Sequence, residues 1–363
     1  MTDARSASAW AGGSEVSLLY GLWLSSLVLS ALALGWMAGL VIARMTREKD
    51  ITRREADRRA VLNAFLAIMS GAGDATAQLS PYQRRACLIA EALLEAMALI
   101  RGPERERLIR ALESLNIDDR LRSRMFTHDP VGRIASAEAL SAFPSERTVE
   151  ALHRVWRRGR DPALRLAAIR SLIELDQAPT FVGVLRELER RAADSLTFLP
   201  VLRLLAERHP EDALAAFQDR SLSVGALVMV ASALASTGDY RALPLLIEGA
   251  ADTRGEVRAA CLRALGVLGH PAAEVALSAG MFDSEWEVRA AASEAAGRIG
   301  STAVISDLVR RLEDPVWWVR FRAAESLALL GDKGVRSLQV AATAPVDIMR
   351  RAASLALAER GLA

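Results

Sequence analysis

Three arginines have the clearest chemical spacing in this chain. Arg258, Arg289 and Arg320 recur every 31 residues, and each stands six residues after an acid: Asp252, Asp283 and Asp314. A guanidinium presents a planar fork of N–H donors that fits a carboxylate or a phosphate. Such a row can form a basic surface for phosphate or acidic peptides. It can also be used up by pairing with the aspartates of its own and neighbouring copies, and the nearness of each Arg to an Asp favours that use. Trp286 and Trp317 share the 31-residue step, and Trp318 lies beside the second. Tryptophan brings a large rigid area with one polar handle, which suits a binding hot spot. Packing between neighbouring copies would use the same area. Trp286, Trp317, Trp318, Arg289 and Arg320 are thus the residues the sequence offers for holding a protein partner. A second basic group, Arg154, Arg157, Arg158 and Arg160 around Trp156, reads as a solvated face or a site for an acidic partner.

Covalent and metal chemistry find no comparable support. His128, His153, His209 and His270 are scattered, with no metal-ligand spacing to one another or to Cys87 and Cys261. The two cysteines lie in apolar helical patterns and read as small buried hydrophobes without a disulfide framework. A phosphate loop is missing, and the glycines near Gly71 lack the preceding strand that a dinucleotide site needs. No nucleophile elbow is present. The sequence therefore offers no catalytic residue, no cofactor site and no metal site. Hydrophobic residues make up 52% of the chain and aromatics only 5%. Ala and Leu dominate the apolar content, which suits closely packed helices rather than sheets. A net charge of +2 gives no field that would draw nucleic acid.

The spacing of the candidates implies the elements that carry them. From Pro81 onward, apolar-periodic stretches alternate with short breaks rich in Gly, Pro or Asp, the pattern of helical hairpins. Each Asp is expected to cap a second helix. Pro130, Pro162 and Pro315 follow at first helical positions, and Gly269, Gly300 and Gly331 take the left-handed conformation that ends a helix. A fourth, eroded copy runs from Pro345 through Arg350 and Arg351 to Gly361. A period of this size marks stacked repeats, each completing the core of its neighbour.

The segments DTRGEVRAACLRALGVLG, DSEWEVRAAASEAAGRIG and EDPVWWVRFRAAESLALLG resemble HEAT repeats of the short bacterial kind. Weaker copies place Arg133 and Arg165 four residues after their Asp, and Gly225 stands where another copy should have its Arg. Between Ala178 and Gln218 the pattern is helical but hardly matches. The resemblance implies an all-α fold, a right-handed α-α superhelical solenoid of HEAT-like hairpins over residues 81–363, working through its surface on a protein partner. Catalytic solenoids of the lyase type imply an alternative, a small ligand bound in the concave face. Relatives that excise alkylated DNA bases need a basic groove, which this charge balance does not supply.

The N-terminal part adds a different expectation. Val16 to Ala43 is uncharged and, at about 1.5 Å per helical residue, long enough for one transmembrane helix after a short tail of residues 1–15. Its length and the single basic residue before it, Arg5, argue against a cleaved signal peptide. Arg44, Arg47, Lys49, Arg53, Arg54, Arg58 and Arg59 follow, which puts this side in the cytoplasm and the N-terminus outside. Residues 44–80 read as an amphipathic juxtamembrane helix and a linker. Gly35 and Gly39 form one G-x-x-x-G through which two copies could pair. The expected protein is a non-enzymatic scaffold at the cell inner membrane, binding lipid through residues 16–43. Its cytoplasmic array would hold a protein partner, as in an envelope or exopolysaccharide assembly.

Overall fold

The structure, a computed structural model, describes residues 7–71, 75–127, 129–191, 195–219 and 221–361. Residues 1–6 of the expected tail, 72–74 of the expected linker and His128 lie outside them. The described residues are helical throughout, and their contacts divide the chain into two compact units, 1–120 and 121–363.

In the first unit, α1 (Ala7–Met69) is followed by α2 (Ala75–Leu79), α3 (Ala86–Leu99) and α4 (Pro103–Ser114). The last turns of α1 pack against these three helices, burying Val61, Ala64, Phe65 and Ile68 with Leu93, Leu108 and Leu112. Alternating charges in the α1 segment after residue 43 find partners: Asp57 accepts from Arg85, and Arg58 pairs with Glu95. The expected apolar stripe is only partly inward, since Phe65 is buried and Leu66 is exposed.

The membrane anchor is not what the structure supports. The helix continues without a break past residue 43 into the charged segment, a single element of 63 residues. Ser26, Ser30, Gly35 and Gly39 thin the apolar content before it, and among the described residues no helix is long and apolar enough to cross a membrane. The inner-membrane, single-pass placement with an outside N-terminus falls with that finding, as do the lipid contact through 16–43 and the envelope setting. Trp23, Leu24, Leu29, Trp36, Leu40 and Val41 are exposed, and a Cβ added at Gly35 or Gly39 would meet nothing within 4 Å.

The boundary between the units falls within α5 (Ile117–Arg124). The second unit then builds hairpins from α6 (Pro130–Ala139), α7 (Glu146–Arg158), α8 (Pro162–Glu174), α9 (Phe181–Arg190), α10 (Ser195–Arg208), α11 (Pro210–Gln218) and α12 (Val224–Thr237). They continue as α13 (Leu243–Gly249), α14 (Gly255–Leu268), α15 (Glu274–Gly280), α16 (Trp286–Ile299), α17 (Ile305–Arg311), α18 (Trp317–Leu329), α19 (Gly331–Ala341) and α20 (Asp347–Glu359). The even-numbered helices from α6 to α20 pack one on the next as a layer, and each from α8 onward also packs on the odd-numbered helix before it.

Small residues set the spacing of that layer. A Cβ on Gly266 of α14 would lie 2.8 Å from the Ala295 backbone of α16, and one on Gly297 would lie 2.8 Å from the Ser326 backbone of α18. Ser326 Oγ also donates to the carbonyl of Ser293 at 2.7 Å, a bond between neighbouring second helices. Gly269 and Gly300 end α14 and α16 with φ of 70° and 76°, the left-handed stop that the sequence implies.

Candidate functional site

The spacing of Asp and Arg produces a ladder along α14, α16 and α18. Each Asp carboxylate first organises the chain ahead of its helix, accepting from the amide two residues on. The distances are 2.9 Å at Asp252, 2.9 Å at Asp283 and 3.0 Å at Asp314. This is an Asx turn rather than the helix cap expected above, because the helices start three residues after the aspartates. The outer carboxylate faces then meet the arginine of the preceding repeat. Arg258 donates to both oxygens of Asp283 at 2.8 and 2.8 Å, and Arg289 to both oxygens of Asp314 at 2.7 and 2.9 Å. Nη1 of each arginine turns back to the carbonyl six residues earlier, at 2.9 Å in both cases. These forked, charge-assisted bonds are the strong kind.

The electrostatics follow the geometry. Burial pushes the Asp314 carboxyl up, but the Arg289 bonds, the Val316 amide and the nearby Arg311 outweigh it and hold the group below the usual carboxylate range. Asp283 is lowered in the same way, burial opposing and Arg258 prevailing. Asp252 is brought down to about 2, chiefly by its bonds from Arg254. Arg258 and Arg289 are raised by the aspartates they hold.

Of the five candidate residues, the structure separates two and groups three. Arg289 is enclosed in the ladder, with Nε, Nη1 and Nη2 all donating to its own chain. Trp317, Trp318 and Arg320 stand together at the start of α18, where Trp317 meets Trp318 edge-on with ring centres 4.7 Å apart. Phe321, one turn after Trp317, stacks on it at 5.1 Å. The i, i+4 spacing of Trp317 and Phe321 was the signal available for this missed member. Trp286 occupies the equivalent place on α16 and touches none of these rings. Trp286, Trp317 and Trp318 are 38%, 48% and 49% exposed, far more than core packing would leave.

Arg320 differs from its two equivalents. Its Nη1 makes the usual turn back, to the carbonyls of Asp314 at 2.7 Å and Pro315 at 3.0 Å. Among the described residues no carboxylate accepts from its Nε or Nη2. Arg350 shows why, since its Nη1 donates to the carbonyl of Ala344 at 3.2 Å, the same bond six residues back. Ala344 therefore stands where the next ladder aspartate would be.

In the second basic group Arg154, Arg157, Arg158 and Arg160 are exposed, and Trp156 is turned inward. Trp156 is buried, edge-on to Phe198 at 5.8 Å, and the Arg165 guanidinium lies over its ring at 4.6 Å. Arg154, Arg157 and Arg158 border an open cavity that also contains Glu146, Glu150 and His153. Mixed charge there does not single out an acidic ligand.

Residues 274–358 match the family model described as HEAT repeats. No curated protein matches the chain. Among solved structures, YibA of E. coli is 19% identical over 70% of this chain and 97% of its own length, with a TM-score of 0.37. Kap121p bound to Pho4p is 12% identical over 84% of this chain and 45% of its own, with a TM-score of 0.43. The CpcE–CpcF complex of phycocyanin lyase from Nostoc sp. is 17% identical over 72% and 94%, with a TM-score of 0.30. With TM-scores below 0.5 these likenesses establish nothing further about this chain, and the HEAT-type match rests on residues 274–358.

Proposed function

We propose that this chain is a non-enzymatic adaptor that binds a protein partner along the ridge formed by the starts of α16 and α18. One observation carries the reading: the large aromatic side chains there are 38–49% exposed at the starts of two neighbouring helices. An aromatic surface on a rigid helical layer offers contact area at little cost in conformational freedom. The arginine row is mostly consumed in holding repeats together, so the basic-surface reading loses Arg258 and Arg289 and keeps only Arg320.

The test compares the native chain with a W286A/W317A/W318A variant as bait in quantitative affinity purification from cells, after circular dichroism shows equal helix content and melting. Loss of a stoichiometric partner from the folded variant supports the adaptor. Retention of every partner assigns the tryptophans to packing alone.

A further inference from the structure

The fork of Arg320 is prepared and unfilled. Two preceding rungs show what it is built to hold: Nε and Nη2 of Arg258 and of Arg289 each take a carboxylate through two parallel bonds. In Arg320 the same Nη1 anchoring is in place, so the guanidinium is oriented at no further entropic cost. Ala344 supplies a methyl group where the carboxylate would come.

Beside this fork, α18 and α20 leave a cavity of about 600 Å³. Trp317 and Phe321 form one wall, Ile348 and Leu355 the other, and the latter two are themselves exposed. Arg351 and Arg360 add positive charge at its border, and Glu325 and Glu359 add negative charge. Glu325 is answered by Arg322 at 2.8 Å, and Arg351 by Asp347 at 2.6 Å. Glu359 and Arg360, at the end of α20, have no ion-pair partner among the described residues either, but of these unanswered charges only Arg320 lies on α18 with the aromatic wall.

We propose that the space between α18 and α20 binds a peptide segment of a protein partner, through an acidic side chain on Arg320 and an adjacent aromatic or aliphatic side chain in the cavity. The partner's carboxylate completes the ladder in place of the missing aspartate. An apolar neighbour suits the Trp317–Phe321 and Ile348–Leu355 walls, and the volume lies in the range of about 300–1,000 Å³ typical of ligand sites. The proposal rests on the adaptor reading and specifies the chemistry of what is adapted.

The experiment pans phage-displayed random peptides on the full chain, then measures a selected peptide by fluorescence polarisation. Enrichment of an acidic residue next to an apolar one is expected. Replacing that acid by its amide should weaken binding at least about tenfold, the equivalent of about 1.4 kcal/mol. In the chain, Ala344→Asp should close the rung internally, raising the melting temperature and weakening the peptide to the same degree. Arg320→Gln should weaken it without the thermal gain, and it gives the same reading should Ala344→Asp fail to fold. Peptides without an acid, no enrichment at all, or a peptide indifferent to both substitutions would overturn the proposal. If the tryptophan variant loses its cellular partner while Ala344→Asp keeps it, the adaptor survives and the open rung does not. A partner lost from both supports the two readings together.

Discussion

Arg165 and Arg289 both follow an Asp on the second helix of a hairpin, and both are withdrawn from solvent, yet their surroundings are opposite. Arg289 is answered by a carboxylate, with both oxygens of Asp314 inside hydrogen-bond range. Arg165 is answered by rings and a carbonyl. It lies over Trp156 and Phe198 at 4.6 and 5.2 Å, and donates from Nε to the Trp156 carbonyl at 3.0 Å. Its nearest acid, Glu187, is 3.8 Å away, and Nη2 has no hydrogen-bond partner. Burial, with Arg191 and Arg190 nearby, pulls its pKa down to about 10, whereas Asp314 raises that of Arg289. A buried arginine is therefore not one kind of feature in this array. In the regular repeats it joins neighbours, and in the weaker copy that holds Arg165 it fills space against two aromatic rings.

The largest expected effect comes from making the same change at both places. Arg289→Met removes the bidentate partner of Asp314, a carboxylate only 3% exposed, and leaves Arg311 at 3.3 Å as its remaining cation. Breaking a buried pair from one side costs about 3–5 kcal/mol. Arg165→Met removes a charge that is poorly answered, and Glu187 keeps Arg190 and Arg191. That substitution is expected to change stability by no more than about 1 kcal/mol, or to stabilise. Denaturant melts of the two variants decide it, and equal losses would erase the distinction between the regions.

How much of this was legible in the sequence varies with the physics behind each feature. The 31-residue step and the six-residue offset from Asp to Arg were enough to imply stacked hairpins, because one covalent spacing repeats one geometry. Gly269 and Gly300 were readable as stops because few other residues adopt their backbone angles. Gly266 and Gly297 were passed over, since a glycine inside a helix reveals its use only when the neighbouring helix is in place. The open rung was hidden by a single-residue contraction that puts Ala344, not Pro345, in the aspartate's place. Trp156 looked like a companion of surface arginines because its hairpin carries basic residues on both sides, and only tertiary packing turns it inward. The anchor reading rested on the missing charges of residues 16–43, whereas among the described residues no helix is long and apolar enough to cross a membrane.

Acid should next test the regular region. Asp252 has a folded pKa of about 2 against 3.8 ordinarily. A carboxyl depressed on folding contributes stability that is complete above its unfolded value and is lost as pH falls through the folded one. The contribution of Asp252, about 2 kcal/mol from the size of the shift, should fade between about pH 4 and pH 2. Asp283 and Asp314 are also lowered, so their contributions are likewise lost as pH falls below the usual carboxylate range. Melting temperature followed over this range should fall steeply for the native chain and less so for Asp252→Asn. Parallel curves would mean that the Asp252–Arg254 pair is not formed in solution.

The smallest effect is kinetic. Cys261 sits in α14 with no exposure, and burial pushes its thiol up to about 12. Only the thiolate reacts, so at neutral pH the group is silenced twice, by access and by protonation. In a Cys87→Ser background, a thiol reagent should label the chain only as fast as α14 separates from its neighbours. Closing the rungs around it slows that separation, so Arg289→Met should speed labelling and Arg165→Met should leave it unchanged. If both variants label at the native rate, α14 opens independently of the ladder, and the Asp–Arg pairs then contribute to the global fold without governing local motion in the regular repeats.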